Sequence, residues 1–225
     1  PYKDSYLPVM HLQAQSATKK GTILIHGGFD SFIEEFYPMA WHFSQQGYEV
    51  LAFEGPGQGA ALKQYGLAFD YEWEKPVEAI LNHYNLDNVT LIGLSMGGYF
   101  CLRAAAYEKR IKRVISSGGT YDYSKIPPGF ARWMMNFFSR NMRNFTNRTA
   151  LKSVKKGGME AWQISNLMYI TQIEAPMDAF DYAMQMNEEN LNGDCIEQDA
   201  LILTGKEDHF IPYRLHKGLI QSLSY

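Results

Sequence analysis

The chain has 225 residues, 46% of them hydrophobic, with 21 Lys and Arg against 24 Asp and Glu and a net charge of -3. That much apolar mass builds one sizeable core, so a single domain is expected. The near balance of charge, without a Lys/Arg run, argues against nucleic acid as a partner. No apolar stretch approaches the roughly 18 residues that cross a bilayer, so no membrane partner is expected either. The opening "PYKDSYLPVM" is mixed and lacks the apolar core of a signal peptide. Cys101 and Cys195 are too few for a disulfide framework or a Cys-based metal site, and they fit a reducing cytoplasm.

In chain order, "YLPVMHLQAQ" (6–15) reads as one strand of an antiparallel edge. Five apolar runs follow at 21–28, 48–57, 89–95, 113–119 and 200–205. Each is continuous rather than alternating, which predicts strands buried on both faces. Helix-length segments lie between them at 34–46, 70–84, 96–108 and the long stretch 127–190, and Pro212 opens a last helix to about residue 222. Strands alternating with helices predict an α/β fold with a doubly wound, mostly parallel sheet. Asp30, Ser31 and Glu34 are expected to cap the helix at 34–46.

Ligands of such sheets bind beyond the carboxyl ends of the strands. Those ends carry "HGGFD" (26–30), "EGPGQG" (54–59), Ser95, Gly118-Gly119 and Asp208. Ser95 stands in "GLSMG" (93–97). The bare G-x-S-x-G pattern arises in about one chain in ten of this length. Its setting raises it: a buried strand directly before, a helix directly after, and glycines giving room for a strained turn. A hydroxyl lifted above the sheet there is a candidate nucleophile. The bland alternative is a helix N-cap followed by packing glycines. The helix after Ser95 favours negative charge at its N-terminus, which makes the Met96 N–H one donor of an oxyanion hole. The Phe29 N–H is the expected second donor, with Gly28 in reserve. His26 is expected to brace that loop rather than act as a base. "EGPGQG" lacks the Lys-Ser/Thr of a phosphate loop and reads as an ordinary turn, with Glu54 at a strand end.

"HGGFDSF", "GLSMGGY" and "LTGKEDHFIP", in that order, resemble the α/β-hydrolase superfamily over nearly the whole chain. "YEVLAFEGPGQGAAL" and "EWEKPVEAI" are similar to the branch of esterase-like and carbon–carbon-bond hydrolases that includes 2,6-dihydroxypseudooxynicotine hydrolase, fungal polyketide-shortening hydrolases and acylaminoacyl-peptidase-like proteins. The resemblance implies a Ser nucleophile, an acid after a late strand and a His after the last strand. Ser95 matches the nucleophile and Asp208 the acid; Asp208 also suits the first turn of the helix that follows. It implies hydrolysis of an ester, an amide or an activated C–C bond, without cofactor or metal. The substrate would be a small, largely apolar molecule or a short acylated peptide. Self-association is left open.

The base is not evident. After Asp208 come His209, adjacent to the acid, and His216, inside the expected helix. Neither fits the base position, so the last strand and the catalytic His loop are expected to lie beyond this chain, with "LSY" (223–225) the start of that strand. On that expectation the chain is cut at both ends and nearly inactive as it stands. The rival is a non-catalytic hydrolase-fold binding protein. Residues 127–190, rich in Met and aromatics, read as a helical lid over Ser95, although ordinary helix core is the plainer reading of any one of those side chains.

Overall fold

The computed structural model describes residues 1–223. The apolar runs form β2 (Gly21–His26), β3 (Tyr48–Phe53), β4 (Val89–Leu94), β5 (Ile111–Ser117) and β6 (Asp199–Leu203). They pair in parallel. β1 (Val9–Leu12) joins β3 antiparallel, and the sheet order is β1-β3-β2-β4-β5-β6. The fold is therefore α/β with a mostly parallel six-stranded sheet.

Helices cover both faces. α1 (Tyr37–Gln45) links β2 to β3; α2 (Gly59–Lys63) and α3 (Glu74–Tyr84) link β3 to β4; α4 (Gly97–Tyr107) links β4 to β5. Side chains alternate along a strand, so Ile23 and Ile25 of β2 pack with Phe36 and Ala40 on the α1 side. Leu24 enters the larger cluster on the other side, with Trp73, Leu91 and Phe100. Trp73 is fully buried, and its ring stacks on Phe100 at 4.1 Å. Burying one such aromatic contributes roughly 4 kcal/mol before entropy is subtracted. Arg103 of α4 is buried in a two-pronged pair with Glu74 of α3, at 2.8 and 2.9 Å, which locks the two helices together.

Between β5 and β6 the long helical stretch resolves into α5 (Gly129–Asn141), α6 (Arg143–Lys156), α7 (Met159–Thr171), α8 (Pro176–Ala183) and α9 (Glu188–Leu191). The last segment starts as a tight turn of helix at Tyr213–Leu215 and continues as α10 (His216–Gln221).

Three expectations need correction. β6 is not buried on both faces: Leu201 and Leu203 are exposed, because no helix among the described residues covers that side of the strand. α2 was not foreseen, since five residues are too few to show a helical period. The plain core reading also fails for α5 and α6, neither of which contains a buried residue. Of the strand suggested at 223–225, residues 224 and 225 lie outside the described residues.

Candidate active site

The sheet order reverses beside β2. The chain leaves β2 for β3 on one side and returns to β4 on the other, which is where open α/β sheets bind ligands. The loops after β2 and β4 are thus neighbours.

β4 pairs with β5 as far as Leu94 opposite Ser117. The Ser95 N–H still donates to the Ser117 carbonyl at 2.8 Å. The backbone then turns within one residue: Ser95 has φ +58°, and α4 begins at Gly97. A left-handed conformation costs a residue with a β-carbon about 1–2 kcal/mol. It persists because the ladder before it and α4 after it leave no alternative path. Gly93 supplies the room, since a Cβ there would collide with the Gly97 carbonyl and the Cys101 sulfur. Residues 96–106 are buried, whereas Ser95 is exposed. The turn lifts one side chain out of an otherwise closed surface. The Met96 N–H, at the positive end of α4, has no protein acceptor among the described residues.

His26 closes β2 opposite Gly93. Gly28 then backs onto the turn: a Cβ on it would sit 2.6 Å from the Met96 nitrogen and cover that donor. Of the two donors expected in this loop, Gly28 is committed, giving its N–H to Ser31 Oγ at 3.1 Å. The Phe29 N–H has no protein acceptor among the described residues. The expected helix caps are different groups. Ser31 serves Gly28, while the Phe32 N–H goes to Glu35 Oε1 at 3.3 Å and the Ile33 N–H to Glu54 Oε1 at 3.1 Å. Glu54 is buried and also accepts from the Ala60 N–H at 2.6 Å. It anchors the loop from the neighbouring strand.

Asp208 follows β6 at the same rim. Its Oδ1 accepts from the N–H groups of Phe210 and Ile211 at 2.8 and 2.9 Å. Its Oδ2 lies 4.0 Å from a Cβ built on Gly118, and the Ser95 Cα lies 3.6 Å from that same point. The carboxylate thus caps its own turn with one oxygen, while the other lies on the Gly118 side, close to the Ser95 backbone. Tyr123, which sequence reasoning overlooked, also sits near it. Burial, followed by the neighbouring Tyr99 and the Asp208 charge, pushes the Tyr123 hydroxyl above its ordinary range.

His26 is fully buried among the rings of Phe53, Trp73 and Phe100, and its Nδ1–H donates to the Gly27 carbonyl at 3.1 Å. Burial holds its pKa down at about 4, so the ring is neutral. His216 Nδ1 lies 2.9 Å from Thr204 Oγ1, and its ring stacks on Tyr213. His209 is exposed. From the helical stretch between β5 and β6, Trp162 of α7 meets the Phe29 ring edge-on at 5.8 Å. A hollow of about 340 Å³ lies between the N-terminal segment and α3, lined by Tyr6, Val9, Ile80 and Tyr84 among others, and includes none of these groups. Among the described residues no three His, Cys, Asp or Glu side chains gather to hold a metal ion. Nor is any of their helices long and apolar enough to cross a membrane.

The sequence profile described as the alpha/beta hydrolase fold matches residues 23–224. Hydrolase LUC6 of Fusarium sp is 30% identical across 97% of this chain and 55% of its own length. The 20-hydroxy-prefusarin hydrolase FUS2 of Gibberella moniliformis is 32% identical across 91% of this chain and 51% of its own length. The chain spans about half the length of these relatives. Among solved structures, 2,6-dihydroxy-pseudo-oxynicotine hydrolase superposes with a TM-score of 0.72 at 18% identity, over 97% of this chain and 54% of its own.

Proposed function

The chain belongs to the α/β-hydrolase fold family, and on that premise we propose that it is the catalytic region of a serine hydrolase. Ser95 attacks a carbonyl carbon. The Met96 and Phe29 N–H groups receive the oxyanion. Asp208 orients a His, which takes the Ser95 proton, passes it to the leaving group and then activates water for the second half of the reaction. We place that His outside these 225 residues. His216 is engaged with Thr204, and His26 lies neutral beneath the loop. By itself the 225-residue chain is then a poor catalyst, because an unassisted Ser hydroxyl stays protonated.

The observation that carries the reading is the exposed Ser95 at φ +58°, between the half-buried Leu94 and the buried Met96. Strain of that kind persists where the surroundings over-determine it, and sites of chemistry are where it gathers. The substrate class is a small, largely apolar ester or amide, or an activated C–C bond. The hydrolase names of the relatives and the Trp162 ring beside Phe29 support that choice.

The test is labelling of the full-length protein with a fluorophosphonate, which needs an activated serine and an oxyanion site. Wild type is expected to label at Ser95, and Ser95→Ala is not. Full-length protein that stays unlabelled would instead favour a binding protein on the same fold.

A further inference from the structure

The turn "EGPGQG" after β3 has no part in the reaction just described, yet its Gln58 is buried with every polar atom engaged. Gln58 Nε2 donates to the carbonyls of both Gly27 and Gly28, each at 2.9 Å, and its Oε1 accepts from the Gly55 N–H at 2.9 Å. Asn166 of α7 donates to the next carbonyl, that of Phe29, at 3.3 Å. Three successive carbonyls of the loop after β2 are therefore held by two side-chain amides. One reaches them from the sheet and the other from the lid.

This arrangement has a stereochemical consequence. In a trans peptide the C=O and the N–H point to opposite sides, and no peptide bond among the described residues is cis. Turning the Gly27 carbonyl onto Gln58 sends the Gly28 N–H the other way, to Ser31. Turning the Gly28 carbonyl onto Gln58 sends the Phe29 N–H to the side opposite Gln58, where it has no acceptor among the described residues. Two glycines in sequence otherwise let this peptide plane rotate at little cost.

We infer that Gln58 and Asn166 are positioning residues that aim the Phe29 N–H at the oxyanion. Gln58 sets the plane that carries the donor, and Asn166 ties the following plane to α7. Lid position and donor direction are thereby coupled. This rests on the serine-hydrolase reading, and the experiment separates the two.

Full-length protein carrying Gln58→Glu, Asn166→Ala or Ser95→Ala is compared with wild type. The readouts are the rate of fluorophosphonate labelling, kcat and KM on p-nitrophenyl butyrate, and Tm. An ionised carboxylate in place of the Gln58 amide has no donor, and a protonated one has a single O–H, so at most one of the two carbonyls can still be held. Loss of one aimed donor slows oxyanion chemistry by about 100-fold. Gln58→Glu is expected to lower labelling rate and kcat together by that factor, with KM within about threefold. Asn166→Ala, which leaves the buried clamp intact, is expected to lower both about fivefold, as the weaker of two positioning contacts. A folded Gln58→Glu protein that labels at the wild-type rate overturns the inference. If that variant does not fold, Asn166→Ala decides: an unchanged kcat overturns it, and a fall in kcat at constant KM and Tm supports it. Labelling of Ser95→Ala at the wild-type rate would overturn the hydrolase reading itself, which is a separate outcome.

Discussion

α4 and α5 have similar lengths, 11 and 13 residues, and both are rich in large apolar side chains, but ten residues of α4 are buried and none of α5. α4 starts at the Ser95 turn and runs back along β4 and β5, where Gly97, Gly98 and Ala104–Ala106 let its backbone come close to the sheet. Phe100 can then stack on Trp73, and Arg103 can reach Glu74. α5 carries Phe130, Trp133 and Phe137 in a stacked row along one face, all exposed. The difference teaches that apolar content does not decide burial here. What decides it is whether an element lies over the sheet, because the sheet offers an apolar plane wide enough to cover a helix face. In the proposed site, Ser95 and the Met96 N–H belong to the first region, and the Trp162 ring that meets Phe29 comes from α7, in the helical stretch that includes α5.

That contrast can be probed from either side. Ser95→Ala should lower kcat on an ester reporter by at least about 1,000-fold in the full-length protein, with folding intact by circular dichroism. Retained hydrolysis would move the nucleophile elsewhere. Phe100→Ala should cost about 3–5 kcal/mol in urea unfolding, through lost burial and the cavity left against Trp73.

His26 gives a pH signature of the buried region. Its pKa is about 4 in the folded chain against an ordinary 6.5, so the unfolded chain takes up the proton first as pH falls. The stabilisation is complete above pH 6.5, declines from there to pH 4 and levels off below, by roughly 3 kcal/mol in all. Unfolding free energies at pH 7 and pH 4.5 should therefore differ less in His26→Gln than in wild type; an equal difference would refute the assignment.

Ser95→Gly removes the penalty of the left-handed turn and should raise stability by about 1 kcal/mol while abolishing labelling. A lower Tm for that variant would mean that the turn is not strained. Smallest of all, Trp133→Ala on α5 should change stability by less than about 0.5 kcal/mol. A loss as large as that of Phe100→Ala would show that the row on α5 is covered in the intact protein.

Much of the rigid region was legible from residue order. The five parallel strands follow from continuous β-rich runs, and β1 was readable as an antiparallel edge strand. Ser95 stood out because its strain needs small neighbours at fixed offsets, which a sequence displays directly. The loop after β2 was only half legible. Ser31 was expected to cap the following helix but instead binds Gly28, three residues back. The role of Glu54 depends on Ile33, 21 residues away in the chain, and that of Gln58 on Gly27, 31 residues away. No local pattern marks partners so far apart. The one-sided burial of β6 was hidden for a similar reason: "ALILTG" reads as doubly buried, but whether anything covers its second face depends on other elements.

Short-range sterics and hydrophobic patterning thus settled where the strands run, where the tight turn falls and which hydroxyl it carries, because those effects act within a few residues along the chain. Burial of α4 but not α5, the orientation of each peptide plane after β2, and the meeting of Asp208 with Gly118 and Ser95 at one rim came from packing between distant segments. A hydrogen bond needs its two atoms within about 3 Å in space, and that closeness exists only once the sheet has brought its strand ends together.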